Sequence, residues 1–342
     1  MKALMIGGTG NISLYVTRRL LKERWEVVLL NRGTANSACP GARAYACDIN
    51  ACTALDEENL AKLLNSECFD AVAQFIAYTP QQVERDIRLF AGKTRQYLFI
   101  STASAYQKPL SHPVVTESTP LSNPYWQYSR DKIACEETLL QAYRQQGFPI
   151  TIVRPSHTYG DSRLAVALHG GSPWQVVKRI LENKPVPIPG DGTSLWTLTH
   201  AEDFARGFVG LMGNAHAIGE SVHITSDESL TWNQVYQIIA QALNRELKPL
   251  YIPTEVLSRA ASYDFAGGLW GDKSNTVLFD NSKLKRLVPG FTARIRFDQG
   301  IRRVLDNVLS NPELQQEDPR FDAFCDKAAE LMTNLAQEFA KL

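Results

Sequence analysis

The first half of the chain alternates short apolar runs with amphipathic segments. Apolar runs of strand length occur at Lys2–Ile6, Glu26–Leu30, Ala71–Ile76, Tyr97–Ile100 and Ile150–Val153. These runs are almost continuously apolar, which is typical of strands that are buried on both faces. Alternating strands and helices with short connections predict a doubly wound parallel α/β sheet with right-handed crossovers.

Helical spacing of apolar residues fills the segments between these strands. The predicted helices are Asn11–Arg24, Glu57–Asn65, Gln81–Ala91 and Pro124–Gln146. The last of them has the clearest boundaries, because Asn123 is a good cap, Pro124 suits the first helical position and Gly147 follows the end.

The pattern becomes less regular beyond residue 160. Prolines and glycines punctuate residues 185–192, and further helical stretches follow. We therefore expect residues 1–160 to form the sheet domain, with a returning segment near 190–225. Residues 161–342 are expected to form mainly a smaller, interleaved C-terminal lobe.

Charge and composition exclude several classes of protein. The 342 residues include 36 Lys+Arg and 36 Asp+Glu, so the formal net charge is zero, and 44% are hydrophobic. A neutral chain offers no general electrostatic attraction for nucleic acid or an anionic membrane. No stretch approaches the ~20 apolar residues of a membrane span, and no secretory signal is evident, so we expect a cytoplasmic protein. The six cysteines form no CxxC pair, which predicts reduced thiols and no metal site.

A glycine-rich turn follows the first predicted strand. The segment Gly7-Gly8-Thr9-Gly10-Asn11-Ile12-Ser13 lies where that strand leads into the first helix. Such a turn lets backbone N–H groups approach a pyrophosphate at the helix N-terminus. The spacing Gly-x-x-Gly with Ser13 at the third position differs from the usual dinucleotide fingerprint and is the form seen in short-chain dehydrogenases/reductases. We predict that Gly7, Thr9, Gly10, Asn11 and Ile12 bind NAD or NADP.

The end of the second strand bears on the choice between these two cofactors. The strand ends at Leu30 and is followed by Asn31-Arg32-Gly33. An acidic residue at this point would bind the adenosine ribose hydroxyls and repel a 2′-phosphate, and none is present. This slightly favours NADP, although Arg32 could equally stack on the adenine or face water. Asp48 and Ile49 are further candidates for contacts with adenine, while Asp48 could simply form a turn.

A YxxxK sequence lies within the predicted helix over 124–146. Tyr128 and Lys132 are four residues apart and therefore share one helical face. A nearby ammonium group stabilises a phenolate and lowers the tyrosine pKa from roughly 10. The pair could then exchange a proton with a substrate hydroxyl. Thr102, 26 residues before Tyr128, lies at the carboxyl end of a predicted strand, where side chains face the ligand crevice.

The motifs in combination resemble a known family. GGTGNIS, FISTASAY, YSRDK, IVRPSHTYG and PGDG…THAEDFA occur in order between residue 4 and about residue 210. The chain resembles an extended short-chain dehydrogenase/reductase of the NAD-dependent epimerase/dehydratase family, which implies a Rossmann fold with a smaller substrate lobe.

The resemblance also implies roles for single residues. Tyr128 would be the acid/base, Lys132 would hold the nicotinamide ribose, and Thr102 would bind the reacting oxygen. Hydride would pass between the nicotinamide and the carbinol carbon. Further residues implied in cofactor binding are Phe75, Ile76, Ala77, Ser101, Pro155, Ser156 and His157. His157 could instead relay protons or be structural, and His200 and Asp203 are expected to be structural. The family also implies a homodimer through the helices over 81–91 and 124–146.

Departures from the family pattern concern the substrate. The residues after Thr102 are Ala103-Ser104 rather than the Asp-Glu of 4,6-dehydratases, which argues against that subtype. Trp196 stands where nucleotide-sugar epimerases have a diphosphate-binding arginine, and the neighbourhood of a second such arginine offers Leu269 and Trp270. Replacement cations could come from Arg163, Lys178, Arg179 or Lys273.

These features predict an NAD(P)-dependent oxidoreductase or epimerase that acts on a secondary alcohol, with a sugar or sugar nucleotide as small-molecule substrate. One alternative is an NAD(P)H-dependent ketone or aldehyde reductase, favoured by the apolar Trp196 and Leu269. Another is a non-catalytic dinucleotide-binding regulator or RNA-associated protein. The presence of Thr102, Tyr128 and Lys132 together argues against the last alternative.

Overall fold

A computed structural model describes residues 1–33, 38–51, 58, 60–62, 64, 67–161 and 163–342. The predicted helix over 57–65 lies largely outside the described residues and stays a prediction. Among the described residues, none of the helices is both long and apolar enough to span a bilayer.

The strands of the described residues are β1 Lys2–Ile6, β2 Glu26–Asn31, β3 Arg43–Ala46, β4 Ala71–Gln74, β5 Tyr97–Ile100, β6 Val114–Val115, β7 Ile150–Pro155, β8 His157–Tyr159, β9 Val186–Pro189, β10 Leu195–Trp196, β11 Leu198–His200, β12 Ser221–Ile224, β13 Leu230–Thr231, β14 Pro249–Ile252 and β15 Leu278–Phe279. Five of these strands, β1, β2, β4, β5 and β7, begin and end close to the five predicted apolar runs.

The α-helices alternate with these strands in the first half and predominate in the second. They are α1 Ser13–Lys22, α2 Pro80–Phe90, α3 Gln127–Gln146, α4 Trp174–Leu181, α5 Ala201–Leu211, α6 Trp232–Ala242, α7 Thr254–Leu257, α8 Ala266–Gly268, α9 Ser282–Leu287, α10 Phe297–Ser310 and α11 Pro319–Phe339. A π-helical turn, Leu269–Lys273, directly follows α8.

Seven strands form one parallel sheet in the order β12-β7-β5-β4-β1-β2-β3. Ala3 of β1 lies opposite Val27 of β2 on one side and Ala71 of β4 on the other. The strand order therefore reverses at β1, and ligands bind beyond the carboxyl ends of the strands at such a point. The doubly wound α/β fold predicted from the sequence is confirmed.

Both faces of the sheet are covered, as the continuous apolar runs require. Ala3 and Met5 pack into the cluster that also contains α1 and α5, whereas Leu4 and Ile6 face the opposite cluster with α2 and α3. Each fully buried aliphatic side chain of this kind contributes about 1.5–3 kcal/mol relative to exposure. The sheet is therefore a stable platform for the residues at its carboxyl edge.

The second half of the chain contributes one strand to this sheet and a core of its own. Strand β12 pairs in parallel with β7 at the sheet edge. A further apolar cluster contains the buried indole rings of Trp196 and Trp232 together with residues of α6 and α10. Arg179 of α4 is buried and forms ion pairs with Asp322 at 2.6 Å and Asp326 at 2.8 Å, which attach α11 to this lobe.

Helix α3 begins three residues later than predicted. The Asn123 side-chain oxygen accepts hydrogen bonds from the backbone N–H groups of Tyr125 and Trp126, both at 3.2 Å, and Trp126 is extended with φ −128° and ψ 117°. Asn123 thus forms a turn before the helix instead of capping a helix that starts at Pro124. The predicted C-terminus is confirmed, because Gly147 adopts φ 69° after Gln146.

Candidate active site

The turn between β1 and α1 is held in a conformation that requires glycine. Gly7 has φ +78°, and a Cβ atom there would lie 2.5 Å from Cγ2 of Ile76. The Ser13 hydroxyl donates to the Gly7 carbonyl at 2.5 Å and accepts from the Gly10 N–H at 2.8 Å. Ser13, at the third motif position, therefore stabilises the turn through hydrogen bonds to both glycines. It is buried, as close packing of the helix on the strand requires of a small residue at this position.

A cavity of about 480 Å³ opens on this turn. It is lined by Gly7, Thr9, Gly10, Asn31, Arg32, Cys47, Asp48, Asn50, Ile76 and Tyr78. All seven residues of this set that we had assigned to a dinucleotide come together here: three from the turn, two from the end of β2, Asp48 after β3, and Ile76 after β4. The Nδ2 atom of Asn31 is buried without a hydrogen-bond partner among the described residues, which fits a wall that a ligand completes.

Three of the predicted cofactor residues, Asn11, Ile49 and Ala77, are not among the residues that line this cavity or the second cavity described next. The Asn11 side chain donates to the Thr158 carbonyl at 3.5 Å. Ile49 is buried, and its carbonyl accepts a hydrogen bond from Arg85 at 2.6 Å. Ala77 contributes its carbonyl to Lys132, as described below.

A second cavity of about 430 Å³ lies beyond the carboxyl ends of β4, β5 and β7. Its walls contain nine of the predicted residues, namely Ile12, Phe75, Ser101, Thr102, Tyr128, Lys132, Pro155, Ser156 and His157. Tyr78 lines both cavities. The turn that suits a pyrophosphate and the predicted catalytic triplet therefore face adjoining spaces, as an elongated dinucleotide requires.

Thr102 is held at the end of β5 by a short turn. Its hydroxyl caps a 3-10 turn by accepting from the Ser104 N–H at 3.2 Å, and it lies 3.0 Å from the Ser104 hydroxyl. The Ser104 hydroxyl lies in turn 2.7 Å from that of Ser129 on α3. This chain of hydroxyls connects the strand end to the first turn of α3, which carries Tyr128.

Tyr128 and Lys132 respond to burial in opposite ways. Burial raises the pKa of Tyr128 to about 12, against a hydrogen bond from Thr102 that lowers it. Burial also lowers the pKa of Lys132 to about 8. The acidic phenol that we expected from the lysine is therefore not what this structure shows, because desolvation of the phenolate outweighs the nearby charge.

Lys132 is oriented by backbone and aromatic groups. Its ammonium group donates to the carbonyls of Ala77 and Ile100, both at 2.7 Å. It lies 4.7 Å from the ring centres of Tyr78 and Phe99 and 6.0 Å from that of Tyr128. Lys132 and Tyr128 thus share one side of α3 within the same cavity.

Tyr78 is a site residue that the sequence analysis missed. Its ring lies 6.4 Å from that of Tyr128, and it stands at the junction of the two cavities. The sequence feature that could have identified Tyr78 is its position directly after Phe75-Ile76-Ala77, the segment assigned to cofactor binding. Trp126 and Asp272, which also line the catalytic cavity, carried no comparable local signal.

A buried ion pair supports the floor of the catalytic cavity. Glu136 of α3 accepts hydrogen bonds from Arg154 of β7 at 3.0 and 2.6 Å and a short one from the Ser101 hydroxyl. Burial opposes the charge on Arg154, but Glu136 outweighs this and raises the pKa of the guanidinium. Ser101 precedes Thr102, so this pair fixes the strand end that carries the Thr102 hydroxyl.

His157 lies in the cavity wall as a neutral ring. Burial, reinforced by the positive charges of Lys273 and Arg163, lowers the pKa of His157 well below its usual value. Its ring centre lies 6.1 Å from that of Trp232. Ser156 beside it donates to the Thr197 carbonyl at 2.9 Å.

Two of the four cations considered as replacement arginines reach the cavity. Arg163 and Lys273 line it, together with Asp272 and Trp196. Lys178 instead pairs with Glu317 at 2.6 Å, and Arg179 pairs with acidic residues of α11.

His200 and Asp203 hold backbone segments together. His200 caps α5 through its Nδ1 atom, which accepts from the Glu202 N–H at 3.2 Å. The Asp203 carboxylate accepts from the N–H groups of Arg294 and Ile295 at 2.9 and 2.7 Å. Both contacts are structural, as expected.

Comparison with known proteins agrees with this geometry. The profile of the NAD dependent epimerase/dehydratase family matches residues 3–225, which contain both cavities' sheet-derived walls. The chain belongs to this family. It is therefore an enzyme of the extended short-chain dehydrogenase/reductase family, with the Rossmann fold that the motifs implied.

Individual relatives of this family member differ in what they do. The chain is 28% identical over 299 residues to the 2′-dehydrokanamycin reductase of Streptomyces kanamyceticus, covering 86% of this chain and 81% of the reductase. It is also 28% identical over 251 residues to the chloroplast stem-loop binding protein of 41 kDa b of Arabidopsis thaliana, with 70% and 63% coverage. A solved UDP-glucuronic acid 4-epimerase of Bacillus cereus, in complex with NAD, shares the fold, with a TM-score of 0.71, 19% identity and 92% and 100% coverage.

Proposed function

We propose that this chain is an NAD(P)-dependent oxidoreductase that interconverts a ketone and a secondary alcohol on a sugar-like substrate. The observation that carries the proposal is the presence of Thr102, Tyr128 and Lys132 in one cavity that meets the glycine-turn cavity at Tyr78. The constrained Gly7 turn and the unpartnered Asn31 amide fit a dinucleotide along the two cavities.

A bound nicotinamide cofactor supplies or accepts the hydride. Tyr128 transfers a proton to or from the substrate oxygen, and Thr102 positions that oxygen by a hydrogen bond. The carbonyls of Ala77 and Ile100 hold the Lys132 ammonium group on the side of the cavity where the cofactor would bind. In the reducing direction the substrate oxygen would take the Tyr128 proton as its carbon accepts hydride, which would yield the alcohol, and the Tyr128 phenolate would then regain a proton from solvent.

A ketone reductase is favoured over an epimerase by the similarity to a dehydrokanamycin reductase. With its pKa raised to about 12 by burial, the Tyr128 phenol is protonated at neutral pH and can donate a proton to a carbonyl oxygen, a step that both activities need. A homodimer through α2 and α3 and a slight preference for NADP through Arg32 stay predictions.

The test is turnover by wild type and Tyr128→Phe with a panel of keto sugars and sugar nucleotides. We expect the substitution to reduce kcat at least a hundredfold, in the range of lost general acid catalysis. Tyr125→Phe is the matched control, because it removes a hydroxyl from an exposed ring three residues away.

Following the absorbance of the reduced cofactor separates the alternatives. A reductase consumes NAD(P)H, whereas an epimerase returns the hydride and leaves the cofactor unchanged. If Tyr128→Phe retained every cofactor-dependent activity, the catalytic proposal would fail and a non-catalytic dinucleotide-binding or RNA-associated role would be favoured. The similarity to a stem-loop binding protein makes that alternative worth the comparison.

A further inference from the structure

The catalytic cavity contains an excess of positive charge at the side formed by the second half of the chain. Arg163 and Lys273 both line it. Within the described residues, neither cation forms an ion pair or a side-chain hydrogen bond, and the Lys273 ammonium group lies 6.0 Å from the ring centre of Trp126. Elsewhere on the lobe, similar cations such as Lys178 and Arg179 are paired with carboxylates.

The carboxylate in the same wall offsets only part of this charge. Burial raises the pKa of Asp272, and the charges of Lys273 and then of a third cation, Lys108, oppose this rise. The Lys108 ammonium group is buried without a hydrogen-bond partner among the described residues. Two cations, Arg163 and Lys273, therefore line the cavity with one carboxylate, before the separately anchored Lys132 is counted.

These charges act on the place where the chemistry occurs. Arg163 and Asp272 both affect the pKa of Tyr128, and Lys273 and Arg163 both lower that of His157. Burial lowers the pKa of Lys273, the Asp272 charge opposes this, and Arg163 adds to it. Arg163 is exposed to solvent and accessible to a ligand, whereas Lys273 is half-buried. A half-buried cation is costly unless an opposite charge is close, and a bound anion would add such a charge.

The size of the cavity limits which ligand can supply the negative charge. About 430 Å³ is near the low end of ligand pockets, and the walls assigned to the reacting end of the cofactor, including Phe75 and Pro155, belong to the same space. The large indole rings of Trp126 and Trp196 occupy the remaining wall. The space that is left suits a group of about one sugar ring.

We propose that the cavity selects a compact acidic substrate, a keto or hydroxy sugar that carries its own carboxylate or phosphate, and that Arg163 and Lys273 bind this anion. The proposal rests on the proposed function, because it places the reacting carbon beside Tyr128. The anionic group lies toward Arg163 and Lys273, and Asp272 accepts hydrogen bonds from neighbouring hydroxyls. A neutral sugar lacks the countercharge, and a volume of about 430 Å³ that also takes the reacting end of the cofactor favours a compact ligand over a nucleoside diphosphate.

The experiment is isothermal titration calorimetry of the full chain, with and without saturating NAD, which cannot reduce a ketone. The probes are 5-ketogluconate, fructose 6-phosphate, neutral fructose and UDP-glucuronic acid. We expect one of the two compact acids to bind at least tenfold more tightly than fructose, as for a charge-assisted hydrogen bond that fructose lacks. Which acid binds better identifies carboxylate or phosphate as the anion.

Single substitutions test the assignment of residues. Arg163→Gln and Lys273→Gln should each remove most of the preference for the acid and leave fructose binding unchanged. Lys178→Gln is the matched control, since Lys178 lies on α4 in an ion pair outside the cavity. Equal binding of fructose and both acids, or equal losses in all three variants, would overturn the proposal, as would tenfold tighter binding of UDP-glucuronic acid.

The same titrations separate this inference from the proposed function. Tyr128→Phe should retain the preference for the acid, because the anion site does not use the phenol. Anion selectivity without NAD binding or turnover would leave the site standing and refute the oxidoreductase. Turnover of neutral ketones without anion selectivity would refute the anion site and support the oxidoreductase.

Discussion

The Glu136–Arg154 pair offers the sharpest test of how the active-site floor is stabilised. Both side chains are almost completely buried, at 0% and 4% exposure, and they form two hydrogen bonds with each other. Glu136→Gln keeps the size and one acceptor oxygen of the side chain. It removes the countercharge of Arg154 and replaces the second acceptor by an N–H donor that points at a guanidinium.

The expected cost follows from this geometry. Breaking a buried ion pair by removing one charge destabilises proteins by about 3–5 kcal/mol, because the remaining charge is left uncompensated. Glutamine retains one hydrogen bond to Arg154, so we expect a loss near the lower end, about 3 kcal/mol. The Ser101 hydroxyl also loses its charged acceptor, and the end of β5 should become less well ordered.

Urea denaturation followed by circular dichroism measures this change in the free energy of unfolding. Glu137→Gln is the control, because the neighbouring side chain is exposed and should change stability by less than about 0.5 kcal/mol. The double variant Glu136→Met, Arg154→Met should be less destabilised than Arg154→Met alone, since no buried charge remains unpaired. A loss below about 1 kcal/mol in Glu136→Gln would refute the argument that this pair is desolvated and structurally required.

Two further predictions concern the cofactor cavity and the pH dependence of stability. Arg32→Ala should weaken binding of NADP more than binding of NAD in calorimetric titrations, because Arg32 lines the first cavity at the end of β2; equal losses would contradict a role at the 2′-phosphate. Lys132 titrates at about 8 in the folded protein and at its ordinary 10.5 when unfolded, so the unfolded chain holds the extra proton between these values. The stability of the wild type relative to Lys132→Met should therefore rise by up to about 3 kcal/mol from pH 8 to pH 10.5. Parallel pH profiles of the two proteins would show that Lys132 is not desolvated.

The sequence was sufficient to predict the elements that depend on residues close together in the chain. Continuous apolar runs predicted the parallel strands, because strands covered on both faces must be apolar on both faces. The glycine turn at Gly7 and the four-residue spacing of Tyr128 and Lys132 were also readable, since each depends on neighbours in the chain. The start of α3 was wrong because Asn123 uses its amide to join Ser104 and Gly271, and distant partners of this kind have no local signature.

Tertiary structure alone decided which side chains share a cavity and how they ionise. Tyr128 and Lys132 were recognisable from their spacing, yet the direction of the Tyr128 pKa shift depends on how much water the fold removes from the phenol. Arg163 and Lys273 were indistinguishable in sequence from Lys178 and Arg179, and only folding placed the first two in the cavity and the others in ion pairs. Spacing along the chain determines local geometry, whereas burial and charge pairing depend on residues distant in sequence, such as the partners of Lys178 and Arg179 on the C-terminal side of the chain.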